Sequence, residues 1–344
     1  MPNSRVYYAC HAVAVQNPDS GGAITAVPGV QSVSMDTNFD LESVFQLGRL
    51  AAYDSRPVDP SVEITMSKLL DGHPTIYNLF DGSNLAAATS TKRDVYLMVG
   101  SDKQDILNQN DPGPGGVGIG PVHNANPTIK MTGCNLTGVT FTFGSDGNFS
   151  EDITITAASK QIVATTIAAP AANPKGGGVL SRQNFLKNAG VSGSQLPKAV
   201  QGKKISQITI SADTGGAESF FELGNYLPFL KQAQLPIDVT IAFDVIADNH
   251  DGIGVTPTTQ SGCSAPLGAS QTPELITLYL CNASGAVAYE FNFNDRVSPT
   301  SSVYNVPKAK LTSVSYSGGD TGGGNVTITY TYTAANLLRV VYTG

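Results

Sequence analysis

Residues 42–49 read Glu-Ser-Val-Phe-Gln-Leu-Gly-Arg, and residues 218–225 read Glu-Ser-Phe-Phe-Glu-Leu-Gly-Asn. The two stretches begin 176 positions apart (218 − 42 = 176) and repeat the same order of acidic, aromatic, leucine and glycine residues. Further segments match in the same order along the chain. They are 30–35 with 205–210, 62–66 with 237–241, 95–97 with 278–280, 136–141 with 311–316 and 154–157 with 331–334.

The regular spacing of these segments predicts a tandem duplication. The offsets lie between 175 and 183 residues, and a repeated unit of about 170 residues has the size of a domain, whereas solenoid units are about 20–50 residues long. We therefore predict a first domain at 1–168, a linker at 169–180 and a second domain at 181–344. The linker contains two prolines and three consecutive glycines and shows no apolar periodicity.

Composition indicates an all-β fold with minor helix. Apolar residues make up 41% of the chain and charged residues 14%, which is typical of a globular protein that is poor in charge. The 36 glycines and 20 prolines, together with many Thr, Val, Ile and Tyr residues, favour short strands joined by turns. At 344 residues, each half is long enough to bury a core of its own.

The pattern around the first repeated stretch favours strands. Apolar residues from Val33 to Leu47 recur mostly at every second position, which is the period of a half-buried strand. A helix over residues 40–50 is the alternative, because the apolar residues there also fit one helical face. In the second copy, the turn residues at 213–216 come just before the repeated stretch 218–225, and they favour strands over a helix. We predict two long strands around a loop, with return strands at 62–70 and 237–246.

Other segments carry local predictions. The apolar run 6–15 predicts a strand and not a signal peptide, because the run is short and interrupted by a histidine. Ser181 and Gly190 would cap the two ends of a short helix. Residues 100–130 and 249–274 have no counterpart in the other copy, which indicates inserted surface loops. No stretch approaches the roughly 18 apolar residues of a membrane span.

The charge balance bears on possible partners. The chain carries 20 Lys and Arg residues against 27 Asp and Glu residues, a net charge of −7. Residues 1–175 hold 10 basic and 16 acidic residues, and residues 176–344 hold 10 and 11. Because affinity for nucleic acid comes mainly from cations that neutralise phosphates, this balance argues against a protein that grips nucleic acid. It is compatible with a wall past which nucleic acid slides without sticking.

No motif predicts catalysis, a cofactor or a metal site. The four cysteines lack Cys-x-x-Cys spacing and are expected to be small buried thiols, and the four histidines show no ligand spacing. The pattern Gly113-x-Gly115-x-x-Gly118 follows Asp-Pro instead of leading from a strand into a helix, so we interpret it as a loop. Residues 248–252 lack the closing Glu of a calcium loop. We expect no enzyme activity and no cofactor.

The strand and turn pattern of residues 30–34, 42–48, 60–65 and 71–72, repeated in the second half, resembles the tail tube proteins of tailed bacteriophages. In that family a strand, a long β-hairpin with a loop and a return strand belong to a small β-barrel or sandwich flanked by a helix. The resemblance therefore implies two tandem copies of a β-barrel or sandwich domain. The tubes of contractile injection systems share this fold.

The resemblance further implies a structural virion protein that assembles with itself. Some members carry two fused domains, so that three chains imitate a hexameric ring. DNA would pass through the lumen without specific binding, and tail sheath, baseplate and tail terminator proteins would be further partners. The implied location is the virion tail, after synthesis in the host cytoplasm and without a membrane.

In such tubes a long loop joins one ring to the next. By position, the stacking loops are predicted at residues 49–61 and 225–236. The residues predicted to form the assembly elements are Glu42, Phe45, Leu47, Gly48, Arg49, Tyr53 and Arg56 in the first copy, and Glu218, Phe221, Leu223, Gly224, Asn225 and Lys231 in the second.

Two alternatives from other functional classes are retained. A capsid decoration protein, or a two-domain β-sandwich adhesin that binds a receptor, would suit the Gly- and Pro-rich loops. A glycan-cleaving tail enzyme would need clustered carboxylates. Asp36, Asp40 and Glu42 lie close together in the sequence, but within that group only Glu42 has a counterpart, at Glu218. Solvated strand positions explain these acids without catalysis.

Overall fold

The computed structural model describes residues 11–18, 24–39, 41–57, 61–99, 127–165, 167–168, 170, 178–187, 194–214, 217–224, 230–247, 273–297, 304–306, 308–318 and 326–343. Strands dominate these residues, which confirms the predicted all-β class.

The strands are β1 His11–Gln16, β2 Val30–Asn38, β3 Leu41–Val44, β4 Asp54–Pro57, β5 Ser61–Leu69, β6 Arg93–Val99, β7 Pro127–Gly144, β8 Ser150–Ala157, β9 Ser159–Ala164, β10 Lys204–Asp213, β11 Ala217–Phe220, β12 Leu230–Ala233, β13 Asp238–Ile246, β14 Thr277–Cys281, β15 Val287–Asn292, β16 Asp295–Val297, β17 Tyr304–Val306, β18 Lys310–Ser317, β19 Thr327–Ala335 and β20 Arg339–Tyr342. The helices are α1 Ile76–Leu79 and α2 Leu85–Ser90, with a 3-10 helix at Arg182–Asn184.

Eight strands form one antiparallel sheet in the order β18-β19-β13-β10-β7-β8-β5-β2. The first part of β7 continues into a smaller sheet, in which β7 pairs with β6 and β9, and β6 pairs with β1. The second half of the chain has a three-stranded sheet, β14-β15-β20. The pairs β3–β4 and β11–β12 are separate hairpins.

The order of the strands is the same in the two halves of the large sheet. Read across the sheet, β2-β5-β8-β7 of the first half corresponds to β10-β13-β19-β18 of the second, and the matched strands also have the same rank along the chain in each half. The β-bulges agree as well, because the residues skipped by the register are Gln31 and Thr137 in the first half and Ser206 and Thr312 in the second. Both pairs of bulges lie 175 residues apart (206 − 31 = 175; 312 − 137 = 175). This agreement is expected of two copies of one domain.

The core lies on one face of the large sheet and runs through both halves. Apolar side chains of alternate strand positions, from Ile64 on β5 to Tyr332 on β19, are completely buried there. The smaller sheets cover this face. Phe291 of β15 packs edge to face on Phe141 and Phe143 of β7, with ring centroids 4.9 and 5.1 Å apart.

Two short helices lie between β5 and β6, where the sequence pattern predicted none. The Thr75 side chain accepts a hydrogen bond from the Asn78 N–H at the start of α1, and the Asn84 side chain accepts one from the Ala87 N–H at the start of α2. These capping residues were the available signal. Helices of four and six residues are too short to show an apolar period of 3.6.

The helix predicted between Ser181 and Gly190 is wrong in its extent. Within the described residues of this segment, only Arg182–Asn184 are helical, and Ser181 occupies the capping position. Phe185 returns to an extended conformation and forms a bridge with Leu280 of β14, so pairing with that strand replaces a second helical turn. Gly190 lies outside the described residues.

The strand predictions agree better with the structure. Leu41–Val44 form a strand, as preferred over a helix at residues 40–50, and β5 and β13 match the predicted return strands to within one residue at each end. β1 lies within and just beyond the predicted strand 6–15, of which residues 6–10 fall outside the described residues.

The remaining loop predictions lie mostly outside the described part of the chain. Of the two inserted segments, only residues 127–130 and 273–274 are described. Residues 127–130 belong to β7, so the predicted insertion ends a few residues earlier than expected. The glycine pattern at 113–118 and residues 248–252 also fall outside the described residues.

Candidate assembly surfaces

The exposed face of the eight-stranded sheet is covered with small polar side chains. Strand pairing puts Ser34 opposite Thr65, Thr65 opposite Thr154, and Thr140 opposite Ser211. The same alternation that buries apolar residues on the core face brings these hydroxyl groups together on the other. An open concavity of about 690 Å³ lies on this face, over β2, β5, β8, β7 and β10.

The charged residues of the polar face are mainly acidic. The acidic residues that share it are Asp36, Glu63, Asp152, Asp213, Asp238 and Asp244. Lys204 and Lys310 lie on the same face near opposite ends of the strands. Asp36 and Glu63 stand directly opposite each other on neighbouring strands. Because like charges in such a pair destabilise a sheet, the acidic character of this face does not serve folding stability.

Both edges of the large sheet lack a partner strand among the described residues. β2 forms one edge and β18 the other. Each edge therefore presents backbone N–H and C=O groups along one side. On β18, the side chains of Val314 and Tyr316 are 41% and 65% exposed. An unpaired strand that also exposes apolar side chains is a template for pairing with another chain.

The first predicted assembly element is a hairpin at the end of β2 and β5. β3 pairs with β4, and Glu42 stands opposite Arg56 in the ladder. The turn is closed by hydrogen bonds, since the Tyr53 N–H donates to the Val44 carbonyl at 2.7 Å and the Arg49 N–H donates to the Gln46 carbonyl at 3.2 Å.

The tip of this hairpin is apolar and exposed. Phe45 and Tyr53 are largely exposed, and Leu47 and Leu50 are fully exposed. Gly48 has a φ of +84°, a left-handed conformation that favours glycine in this turn. Large apolar side chains held in solvent at a turn mark a contact surface for a partner.

The second hairpin repeats this arrangement. β11 pairs with β12, with Glu218 opposite Gln232 and Ser219 opposite Lys231. Leu223 is fully exposed and Phe221 is largely exposed. Gly224, at the position that matches Gly48, also has a positive φ, +95°. Asn225 lies outside the described residues, and the Glu218 carboxylate accepts a hydrogen bond from the Gln234 side chain at 3.2 Å.

The structure corrects the predicted stacking loops at 49–61 and 225–236. Each segment contains a strand, β4 in the first and β12 in the second, because these residues pair back onto the chain that precedes the turn. Backbone hydrogen bonds in a hairpin satisfy groups that a loop would leave to water. The described turn residues therefore lie earlier, at 47–48 and 223–224. Residues 58–60 and 225–229 are not among those described.

Both hairpins leave the same end of the sheet, and a pocket lies at the other end. β2 and β10 each lead into a hairpin from their last residues. Successive strand pairs place these two ends together: Asn38 with Ser61, Val62 with Ala157, Leu136 with Ile155 and Gly138 with Asp213. At the opposite end, a pocket of about 180 Å³ is bordered by Phe149, Phe185 and Ile205 together with Arg182 and Lys187. The two ends of the molecule thus differ in shape and chemistry.

A buried polar network joins the two halves of the chain beside α1. The Glu151 carboxylate accepts hydrogen bonds from the N–H groups of Ile76 and Tyr77 at 2.8 and 2.7 Å. The Tyr77 hydroxyl donates to the Leu338 carbonyl at 2.7 Å, and the Asn78 side chain donates to the Val340 carbonyl at 2.7 Å. Glu151 therefore fixes α1, and α1 in turn holds the strand β20 of the second half.

Burial and neighbouring charges shift the pKa values of Glu151 and Asp71 in this network. Complete burial raises the pKa of Glu151 to about 7, against the opposing effect of the Tyr77 and Ile76 N–H groups and of the Lys68 ammonium. Lys68 is itself buried and donates to Asp71 at 2.9 Å. Burial acts to raise the pKa of Asp71, but the charge and hydrogen bond of Lys68 hold it below its ordinary value. Asp71 also contacts His73 at 3.2 Å.

This network is the strongest candidate for chemistry among the described residues, because perturbed pKa values gather at functional sites. However, both Glu151 oxygens are occupied by backbone N–H groups, and the side chain is completely buried. The arrangement serves to cap α1. Lys68 and Glu151 fall at strand positions where the alternation requires an apolar residue, and this signal in the sequence could have identified them.

Thiols and possible metal ligands in the described part of the chain offer no second candidate site. Cys134 and Cys281 are free and buried, as predicted for these thiols, and burial raises the pKa of Cys134 to about 12. Across the described ranges, no group of three or more His, Cys, Asp or Glu side chains could hold a metal ion. The helices in these ranges are all too short or too polar to cross a membrane.

Comparisons with known proteins give distant structural likeness and no match by sequence. No family model and no curated protein matches the chain. Among solved structures, the chain is similar to the SPP1 tail tube, determined by solid-state NMR and cryo EM. The identity is 7%, the TM-score is 0.34, and the match covers 47% of this chain and 81% of that one.

Proposed function

We propose that this chain is the subunit of a phage tail tube, in which rings of the protein stack around a channel that DNA passes through. The observation that carries the proposal is the eight-stranded sheet itself. Its polar face is concave and acidic, its other face is covered by the rest of the chain, and its two edges are unpaired within the described residues. A sheet that continues from chain to chain into a ring around water needs free edges, a polar inner face and a covered outer face.

The repeated strand order supports a duplicated domain that stands for two ring subunits. Three chains would then give pseudo-sixfold symmetry. Three times eight strands make 24 strands, which at about 4.8 Å per strand span about 115 Å and close into a circle about 37 Å wide. Strand tilt widens this circle further, and barrels of 16–18 strands already contain an aqueous channel.

The difference between the two ends of the sheet supports stacking. Apolar hairpin tips with Leu47, Leu50 and Leu223 project from one end, and the pocket bordered by Phe185 and Arg182 lies at the other. Contacts between unlike surfaces join subunits head to tail, and such contacts build open filaments. We propose that the hairpins of one ring contact the opposite end of the next.

The acidic face supports a lumen from which DNA is released readily. Asp36, Glu63 and Asp152 repel phosphates, and the hydroxyl groups between them carry no charge. The proposed role is structural, without catalysis or a cofactor. The proposed location is the virion tail, and the proposed partners are further copies of the chain, with tail sheath, baseplate and tail terminator proteins at the outer surface and the tube ends.

Negative-stain electron microscopy of the concentrated protein tests the proposal. We expect rings with a central opening, and stacks of these rings as hollow rods at higher concentration. Sedimentation velocity on the same samples should give a species three times the mass of the 35.8 kDa chain. Discrete globular monomers at all concentrations would contradict a tube subunit and favour a decoration protein or adhesin.

A further inference from the structure

One strand pair inside the chain joins the two halves of the large sheet. β7 of the first half pairs antiparallel with β10 of the second. On the core face, Phe141 stands opposite Ile210 and Val139 opposite Ala212, and all four side chains are buried. On the polar face, Thr140 stands opposite Ser211. The joint is therefore a complete sheet contact, with an apolar side and a polar side.

The strands equivalent to β7 and β10 are the two free edges of the same sheet. The strand orders and the four bulges make β18 the counterpart of β7, and β2 the counterpart of β10. Both correspondences have an offset of 175 residues, as the bulges at Thr137 and Thr312 and at Gln31 and Ser206 show. The two edge strands are thus equivalent to the two strands that pair in the internal joint, but they are not paired with each other.

Burial of the equivalent side chains differs as this relationship predicts. Val139 is 3% exposed in the internal joint, whereas its counterpart Val314 is 41% exposed on β18. Phe141 is completely buried, whereas its counterpart Tyr316 is 65% exposed. The sequence keeps large apolar residues at both places, although among the described strands only the internal joint has a partner on this side. Removal of such surface from water favours pairing.

We propose that β18 of one chain pairs antiparallel with β2 of a second copy of this chain, in the register of the internal joint. The proposal rests on the proposed function and names the contact that closes the ring. The residues placed opposite each other are Val33 and Gly318, Ser34 and Ser317, Met35 and Tyr316, Asp36 and Ser315, Thr37 and Val314, and Asn38 and Ser313, the first of each pair on β2 and the second on β18.

This register is consistent with both faces of the sheet. Tyr316 meets Met35 on the core face, so two apolar side chains cover each other. Ser315 meets Asp36 on the polar face, and the acidic surface continues across the contact with no apolar residue exposed to it. The partner is a second copy because β2 and β18 of one chain lie at opposite edges of the sheet, with six strands between them.

Disulfide trapping tests the register. Directly opposed residues in an antiparallel pair have Cα atoms about 4.5–5.5 Å apart, within the range a disulfide spans. The test variant carries S34C with S317C. The matched control carries S34C with S315C, which the register separates diagonally by about 7–8 Å. A positive control carries T142C with T209C, which face each other in the internal joint. The parent chain and the two single variants complete the set.

After mild oxidation, we expect S34C with S317C to give disulfide-linked dimers and trimers on non-reducing gels. The amount of linked product should be at least about ten times that of the S34C with S315C control. T142C with T209C should give a monomer of altered mobility. Stronger linkage in the S34C with S315C control would show a different register. A fast-migrating monomer from S34C with S317C would show that one chain closes on itself. Linkage with S34C alone would show pairing of two β2 strands. Each of these three results overturns the proposal.

The trapping result and microscopy separate this contact from the proposed function. Rings without the S34C–S317C linkage would overturn the contact and leave the tube subunit intact. The linkage in open chains of molecules, without rings or rods, would support the contact and contradict the tube. Absence of both the linkage and the rings would contradict both.

Discussion

Phe141 lies directly opposite Ile210 across the strand pair that joins the two halves of the chain, and both side chains are completely buried. The ring of Phe141 also packs edge to face on Phe291 of the covering sheet. A single residue thus links the first half to two elements of the second half. Its counterpart Tyr316 has no such partner strand among the described residues and is largely exposed.

Substitutions of Phe141 and Tyr316 should affect different properties, the first the stability of the fold and the second self-association. F141A removes a buried ring and leaves a cavity, so we expect a loss of about 3–5 kcal/mol in the free energy of unfolding, measured by urea denaturation. Y316A alters an exposed position, so the monomer should change by less than about 0.5 kcal/mol. Its self-association, measured by sedimentation, should weaken by about tenfold or more, as loss of about 1.4 kcal/mol implies. T142A, on the polar face, is the control for F141A. Equal effects of F141A and Y316A on monomer stability would contradict the distinction.

The exposed leucines of the two hairpins should control stacking and not folding. A variant with L47S, L50S and L223S removes apolar side chains that the monomer leaves in solvent, so its unfolding should match the parent chain. Electron microscopy should show rings but few or no rods, because contact between rings loses its apolar area. I162S changes an exposed apolar residue of β9 and should leave rods intact. Rods of normal length in the triple variant would rule out stacking through the tips.

The acidic face should determine whether DNA is retained. A variant with E63K and D152K reverses two charges on the polar face, and we expect the assembled form to retard duplex DNA in a gel at about 50 mM salt and to release it at about 200 mM salt. The parent chain should not retard DNA under either condition. D81K with D146K makes the same charge change at exposed turn positions outside the strands. Equal retardation by both double variants would show that net charge alone is responsible.

Stability should depend on pH through Glu151. The folded pKa is about 7 and the ordinary value is 4.5, so between these values the folded chain holds a proton that the unfolded chain has lost. Stability is therefore greatest at the acidic end of this window, falls as the pH rises through it by up to about 3 kcal/mol, and is constant above it.

Urea denaturation at pH 5 and pH 8 measures this dependence. The parent chain should be less stable at pH 8, whereas E151Q, which cannot titrate, should show a much smaller difference between the two pH values. D152N removes an exposed carboxylate next to Glu151 and should keep the parent's dependence. A parent chain that is more stable at pH 8 than at pH 5 would contradict the raised pKa.

The strands and the hairpin tips could be predicted from the sequence because their signals are local. Alternation of apolar and polar residues marks a strand within a few positions, and the glycines at 48 and 224 mark the two turns where a left-handed residue is needed. The alignment of 136–141 with 311–316 also identified the two strands now seen as β7 and β18. The predicted loops begin too late in the sequence because return strands of four residues carry too weak a pattern.

Contacts between distant segments could not be predicted in this way. Glu151 is an ionisable residue, and only its position on the apolar side of β8 hints at burial. Its partners at Ile76 and Tyr77 belong to a helix too short to have a sequence pattern. The hydrogen bond from the Tyr77 hydroxyl to the Leu338 carbonyl connects the two halves of the chain. No local preference specifies such a contact.

The sequence by itself determined the set of strands, their repeated order of appearance and the alternation that gives each sheet a polar and an apolar face. Only the tertiary structure decided which of two equivalent strands has a neighbour on both sides. Among the described strands, β7 is paired on both sides within the sheet, and β18 is paired on one. The physical reason is that alternation is a property of each strand alone, whereas burial depends on a second strand supplied by another part of the chain. Phe141 and Tyr316 follow the same local pattern, and their exposure differs because β10 is present beside one and absent beside the other.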